Sequence, residues 1–283
     1  MKAKLFALVW SVTGLLWLGL CSAASAAPIP TYLAIGDSLA YGMQIGHLKQ
    51  EMKAGKVAAS SFGTGYANRL AERLEPSISG LQLINLGCPG ETTSSFIHGP
   101  CAFATNGKPF GHTPLPLHVG YKGSQLHAAL GYLRDKRYAI KVVTIDIGIN
   151  DLRAGELQCS TATDFEACLA PKWDAVKEQV SRNLNTIMQR LRHAAPHTKI
   201  AVLTYYNWLA LQHPHSDKQV QELNSLIERS AHSVNATVIE IFPQFNDQGK
   251  LCDLSLICGP TKDLHPTNAG YDLIANLIYQ KIN

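Results

Sequence analysis

Short runs of consecutive apolar residues alternate along this chain with longer segments in which apolar residues recur every three or four positions. The short runs fall at residues 32–35, 81–85, 139–147, 199–205 and 236–241. The third holds Val142, Val143, Ile145 and Ile147 and reads as a central strand. The longer segments predict helices over residues 66–74, 124–136, 173–195, 216–233 and 268–282. Leu70 and Leu74 share a face of the first, Ser124 can cap the second, and Pro196 stops the third. Near-continuous apolar strands alternating with helices predict a parallel sheet covered on both faces. Residues 39–62, 86–123 and 151–172 read as long connections, and 86–123 alone holds twelve glycines and prolines. Loops of that length in a compact domain are usually functional. In open α/β sheets ligands bind beyond the carboxyl ends of the strands.

The N-terminus departs from this pattern. Lys2 and Lys4 precede an apolar stretch at residues 5–20, and Ala24-Ser25-Ala26 follows. A positive head, an apolar body and a small-residue site together read as a secretory signal peptide, residues 1–26, with cleavage after Ala26. A retained anchor is the rival, and the apolar run is near the lower limit for a span. Bulky Leu20 before Cys21 argues against lipidation. Residues 27–283 suffice for one α/β domain. The chain carries 25 basic and 21 acidic residues with no long basic run, which excludes a nucleic-acid footprint.

Beyond Cys21 the cysteines are Cys88, Cys101, Cys159, Cys168, Cys252 and Cys258. An even number in an exported chain favours disulfides over metal ligation, and no C-x-x-C spacing occurs. They cluster in loops, so sequential pairing is expected: Cys88 with Cys101, Cys159 with Cys168, and Cys252 with Cys258. No metal or cofactor is expected. His213-Pro214-His215 has no carboxylate beside it and reads as a solvent-facing loop.

Four blocks carry candidate chemistry. Gly36-Asp37-Ser38-Leu39 follows the first strand and puts a serine at the carboxyl edge of the sheet. A serine hydroxyl is a weak nucleophile without an adjacent base. His265, in Asp263-Leu264-His265-Pro266-Thr267, precedes the last helix, with Pro266 suited to its first position. Asp263 can hold the imidazole tautomer. Gly148-Ile149-Asn150-Asp151 closes the central strand, where the Asn150 amide can serve as an oxyanion donor. Leu86-Gly87-Cys88-Pro89-Gly90-Glu91-Thr92-Thr93 follows the second strand, and Gly90 can offer a backbone N–H without a side chain in the way. Taken singly, each block also reads as an ordinary turn. Asp37 and Asp151 read as turn-shaping residues.

In this order the four blocks resemble the GDSL/SGNH hydrolase family, from about Thr31 to the C-terminus. The resemblance implies a flavodoxin-like three-layer α/β/α sandwich with a five-stranded parallel sheet. It implies Ser38 as nucleophile, His265 as general acid/base, and an oxyanion hole of the Ser38 N–H, the Gly90 N–H and the Asn150 amide. The family usually places its acid three residues before the histidine. That position is Lys262 here, and Asp263 lies two before. Either the loop brings Asp263 onto the ring or a backbone carbonyl orients it.

The implied activity is a secreted esterase or lipase, monomeric and without a stable membrane span, acting on small-molecule or lipid esters. Leu115, Leu117, Phe103, Phe110 and Trp208 are candidates for an acyl pocket or for core under a long loop. The alternatives are a carbohydrate O-acetylesterase of the same fold and a non-catalytic secreted binding protein.

Overall fold

The computed structural model describes residues 27–213, 216–247 and 249–283. Residues 1–26, where the signal peptide with Cys21 is expected, and Pro214 and His215 of the two-histidine loop, lie outside the described residues.

The elements run β1 (Ile29–Gly36), α1 (Ser38–Tyr41), α2 (Ile45–Ala54), α3 (Tyr66–Leu74), β2 (Gln82–Asn85), α4 (Thr93–His98), α5 (Ala102–Asn106), α6 (Gln125–Arg134), β3 (Tyr138–Asp146), α7 (Ile149–Cys159), α8 (Phe165–Ala194), β4 (Lys199–Leu203), α9 (Asp217–His232), β5 (Thr237–Ile239), α10 (Leu251–Leu254) and α11 (Asn268–Ile282). The strands form one all-parallel sheet in the order β2-β1-β3-β4-β5. The chain leaves β1 towards β2 and later advances from β3 to β5 in the opposite direction. Right-handed crossovers taken in opposite directions place their helices on opposite faces. Accordingly α3 packs with α11 as one layer, and α8 packs with α6 and α9 as the other. The direction reverses between β1 and β3, where this strand order opens a crevice at the carboxyl ends.

With both faces covered, the strands bury every position near the crevice. Tyr32, Leu33, Ala34 and Ile35 of β1 are fully buried, as are Val143 and Ile145 of β3. Each such side chain contributes about 1.5–3 kcal/mol relative to exposure.

Two local expectations are corrected. Residues 151–172 are largely helical, because α7 follows β3 almost directly and α8 begins at Phe165. Pro171 sits inside α8. Phe165, Leu169 and Trp173 bury one face of that first stretch, and Asp164 caps it by accepting from the Ala167 N–H at 2.9 Å. That packing outweighs the lost proline donor. Pro266 also stands outside α11: Thr267 is the cap, accepting from the Gly270 N–H at 3.1 Å.

The structure pairs Cys88 with Cys101, Cys159 with Cys168, and Cys252 with Cys258. No helix among the described residues is long and apolar enough to cross a membrane.

One glycine sets the spacing at the crevice. Gly36 has φ of 138°, and a Cβ there would lie 2.2 Å from the Asp146 carbonyl oxygen. Gly36→Ala is therefore expected to destabilise by about 3 kcal/mol or more. Gly120→Ala, with nothing within 4 Å of its added carbon, should stay within about 0.5 kcal/mol. Urea unfolding of both variants checks this.

Candidate active site

Beyond Gly36 the sheet ladder ends and side chains take over its hydrogen bonds. Gln125 of α6 accepts from the Gly36 N–H at 2.6 Å and donates to the Gly36 carbonyl at 2.9 Å. The Asp37 N–H donates to the Asp146 carbonyl and to its carboxyl, each at 3.0 Å. Asp37 in turn accepts from the Leu39 N–H at 2.9 Å and so caps α1. Ser38 becomes the first residue of that short helix, and Gly42 ends it in the left-handed region. The turn holds Ser38 at the carboxyl end of β1, only 8 % exposed.

His265 arrives from the connection between α10 and α11. Its Nε2 lies 2.9 Å from Ser38 Oγ, and its Nδ1 lies 2.7 Å from Asp263 Oδ1. The same Asp263 oxygen accepts from the His265 backbone N–H at 3.1 Å. With Asp263 accepting at Nδ1–H, the Nε2 lone pair faces the Ser38 hydroxyl. Of the two possibilities left open by the spacing, the geometry is that of Asp263 on the ring. Lys262 makes this possible by adopting a left-handed backbone, φ 48°, that turns the chain just before Asp263. Asp263 Oδ2 also accepts from the Ile45 N–H at 2.6 Å, at the N-terminus of α2. Burial pushes the Asp263 carboxyl up, but the His265 and Ile45 hydrogen bonds outweigh it and hold the group below the usual carboxylate range.

Gly90 has φ of 81°, and a Cβ there would come within 2.8 Å of Pro109. The backbone N–H groups of Ser38 and Gly90 donate no hydrogen bond among the described residues. Asn150 lies in the first turn of α7 rather than on the strand, because β3 stops at Asp146 and Gly148, with φ of 122°, breaks the chain. Its Nδ2 donates to the Glu91 carbonyl at 2.9 Å and lies 3.5 Å from Asp37 Oδ2. Asp151 accepts from the N–H and hydroxyl of Thr93, both at 2.8 Å, and ties α7 to the start of α4.

Ser38, His265, Gly90 and Asn150 meet at a cleft of about 470 Å³. Leu39, Ile45, Phe110, Ile149, Leu157 and Trp208 give it an apolar wall. Of the five apolar candidates, Phe110 and Trp208 line this cleft. Phe103 and Leu115 instead pack with Tyr41 and Phe62 in a separate small core, and Leu117 leans on it. Arg153 also lines the cleft, held 3.3 Å from Glu156 and over the Trp208 ring at 5.6 Å. Possible ligand atoms of Cys88, Glu91 and Cys101 lie within 4.8 Å of one another. Those two sulfurs are bonded to each other, so they offer no thiolate. His213 stacks on Phe165 with ring centroids 3.8 Å apart.

Sequence reasoning passed over Glu91, Gln125, Asp146 and Tyr205, which hold this turn from below. Only Asp146 carried a signal, a charge inside the apolar run of the central strand. Glu91 accepts from the Ser95 hydroxyl and from Gln125 Nε2, the latter at 3.1 Å. Burial raises its carboxyl to about 7. A carboxyl raised on folding binds more protons folded than unfolded between the two values, so its stabilisation is present below about pH 4.5 and fades as pH rises through about 7. The loss across that window is about 3 kcal/mol. Glu156, raised to about 7 by burial against the opposing pull of Arg153, adds a similar slope. Glu91→Gln is expected to flatten the fall in stability between those pH values, and chemical denaturation across pH measures it.

The chain matches the model of the GDSL-like lipase/acylhydrolase family over residues 34–273. No curated protein matches it. Among solved structures it resembles the lipase Lip_vut3 from goat rumen metagenome, with 16% identity and a TM-score of 0.56, covering 89% of this chain and 96% of that one. It also resembles LAE5, an alpha/beta hydrolase enzyme from the metagenome of Lake Arreo, Spain, with 19% identity, a TM-score of 0.55 and coverage of 90% and 96%. Axe2, an acetylxylan esterase from Geobacillus stearothermophilus, gives 15% identity, a TM-score of 0.55 and coverage of 89% and 94%. Those identities speak to the fold, whereas the family match spans most of the chain: this protein belongs to the GDSL-like lipase/acylhydrolase family and is an esterase-type hydrolase.

Proposed function

We propose that this protein hydrolyses carboxylic esters through an acyl-enzyme on Ser38, with His265 as general acid/base and Asp263 as its orienting acid. The observation that carries the reading is the unbroken contact from Asp263 to His265 to Ser38, at 2.7 and 2.9 Å, opening on an apolar cleft. His265 Nε2 takes the Ser38 proton as Oγ attacks the carbonyl carbon. The developing oxyanion meets the free N–H groups of Ser38 and Gly90 and the Asn150 amide, donors already in place before charge appears. The imidazolium returns its proton to the leaving alkoxide, and an alcohol departs. Water, deprotonated by His265, then attacks the acyl carbon; Ser38 leaves and regains its proton.

The apolar wall favours an ester with a hydrocarbon acyl group over an acetylated sugar, which would find few polar partners there. A carbohydrate O-acetylesterase is the second reading, favoured by the likeness in fold to Axe2. Nitrophenyl esters of increasing acyl length, run beside acetylated xylan, separate the two: the first reading expects kcat/KM to rise beyond acetyl. The leader and three disulfides support export to the medium or cell surface, since disulfides persist in oxidising compartments.

Ser38→Ala should abolish hydrolysis and covalent labelling by a fluorophosphonate while the protein stays folded; a labelled variant would remove Ser38 as nucleophile, and a wild-type protein that takes no label would favour the non-catalytic alternative. Asn150→Ala should lower kcat by about 10²–10³-fold with KM little changed. Asp263→Ala should cost more, about 10⁴-fold in kcat. Steady-state kinetics with one short-chain ester measures both, and a mild loss at Asp263 would mean that another group orients the ring.

A further inference from the structure

Beneath Ser38 lie two acidic side chains that the proposed mechanism does not use. Asp37 and Asp146 are both fully buried, and the Asp146 carboxyl accepts from the Asp37 N–H at 3.0 Å, so the two acids are neighbours. Burial raises both carboxyls, and repulsion by Asp37 raises Asp146 further.

The rest of the surroundings sets the proton count. Asp146 Oδ2 accepts from the Asp37 and Ala40 N–H groups at 3.0 and 3.2 Å, and Oδ1 accepts from the Tyr66 hydroxyl. Asp37 Oδ1 accepts from the Leu39 N–H, and Oδ2 from the Tyr205 hydroxyl at 2.7 Å. The titratable groups acting on the pair are Tyr32 of β1, Tyr66 of α3, Tyr205 and Tyr206 after β4, Tyr271 of α11, Glu91 after β2, Asp151 of α7 and His265. None of these is a lysine or an arginine, and the acidic ones oppose further negative charge. Two neighbouring buried carboxyls with no lysine or arginine beside them resist a second negative charge.

We propose that Asp37 and Asp146 hold a single proton between them, and that this singly charged pair is the positioning device for the Ser38 turn. The inference rests on Ser38 being the nucleophile. The N–H groups gripped by Asp146 belong to Asp37 and Ala40, on either side of Ser38 in the turn, so the pair fixes the direction of the free Ser38 N–H. The count of one matters electrostatically. Asn150 Nδ2 lies 3.5 Å from Asp37 Oδ2, and a second negative charge there would compete with the oxyanion for the same amide. Asp37 and Asp146 thus act as positioning residues, through the backbone of the Ser38 turn.

Infrared spectroscopy tests the proton directly. At about pH 9, roughly two units above the carboxyls of Glu91 and Glu156, both of those are ionised. The wild-type protein is then expected to keep a protonated-carboxyl C=O band above amide I, and Asp146→Asn to lose it. Kinetically, Asp146→Asn keeps an acceptor oxygen for the two N–H groups and replaces the shared O–H with an amide N–H. Its kcat should stay within about tenfold of wild type, whereas Asp146→Ala should lose about 10²-fold with KM little changed. Absence of the band in wild type overturns the proposal, whether or not the variants fold. So does an Asp146→Asn variant as impaired as Asp146→Ala. The band does not depend on turnover, so it survives if Ser38 proves not to be the nucleophile, a failure that phosphonate labelling reports separately.

Discussion

The ends of β1 and β3 lie so close that Gly36 has no room for a side chain, and the group it faces is the carboxyl-bearing Asp146. Much of the site follows from that approach. Strand pairing stops there, so the peptide groups of Gly36 turn to Gln125 and those of Asp37 and Ala40 turn to Asp146. Each is a backbone donor or acceptor in a dry interior, where leaving it unpaired costs about 1–3 kcal/mol. The side chains that satisfy them also fix where Ser38 stands. The reactive turn is held by the same hydrogen bonds that close the sheet, so its geometry is as rigid as the core beneath it.

His265 is held from a different direction. Asp263 reaches the N-terminus of α2, Gln44 Nε2 donates to the Pro266 carbonyl at 3.1 Å, and the Tyr271 hydroxyl donates to the Met43 carbonyl at 2.8 Å. The segment after Ser38 therefore clasps the loop that carries His265. Tyr41, Phe62, Phe103 and Leu115 pack beneath these loops as a small core of their own, with the bond between Cys88 and Cys101 inside it. This accounts for apolar residues in the long connections that do not face substrate: they give irregular backbone something to pack against.

The sheet and its helices were legible because both obey simple periods. Buried parallel strands read as apolar runs, and the five runs are the five strands. What escaped was set by contacts distant in sequence. The stretch ahead of Trp173 reads as connection until Phe165, Leu169 and Trp173 are seen packed on one face. Phe103 and Phe110 are indistinguishable by composition, yet Phe103 fills the loop core while Phe110, packed against that core, also lines the cleft. The four motif blocks were visible, but the polar layer under them was not. Asp146 and Glu91 look like isolated charges along the chain and become neighbours of the Ser38 turn only after folding. The spacing of Asp263 from His265 left two readings open because a left-handed residue at Lys262 has no sequence signature outside glycine and asparagine.

Four acidic groups crowd this end of the sheet, and their surroundings sort them. Asp263 has an imidazole and a helix N-terminus beside it and is held below the usual carboxylate range. Glu91 has only a hydroxyl and an amide as donors, and burial carries it to about 7. Asp37 and Asp146 are raised by burial, with no basic side chain other than His265 acting on them. All four are buried to a similar degree, so burial alone does not order them; the donors and charges around each carboxyl do. Negative charge is thereby favoured on Asp263, which faces the imidazole, and disfavoured on the acids nearest Asn150 and Gly90. In the ester chemistry proposed above, the first would stabilise an imidazolium and the second would spare a developing oxyanion from repulsion.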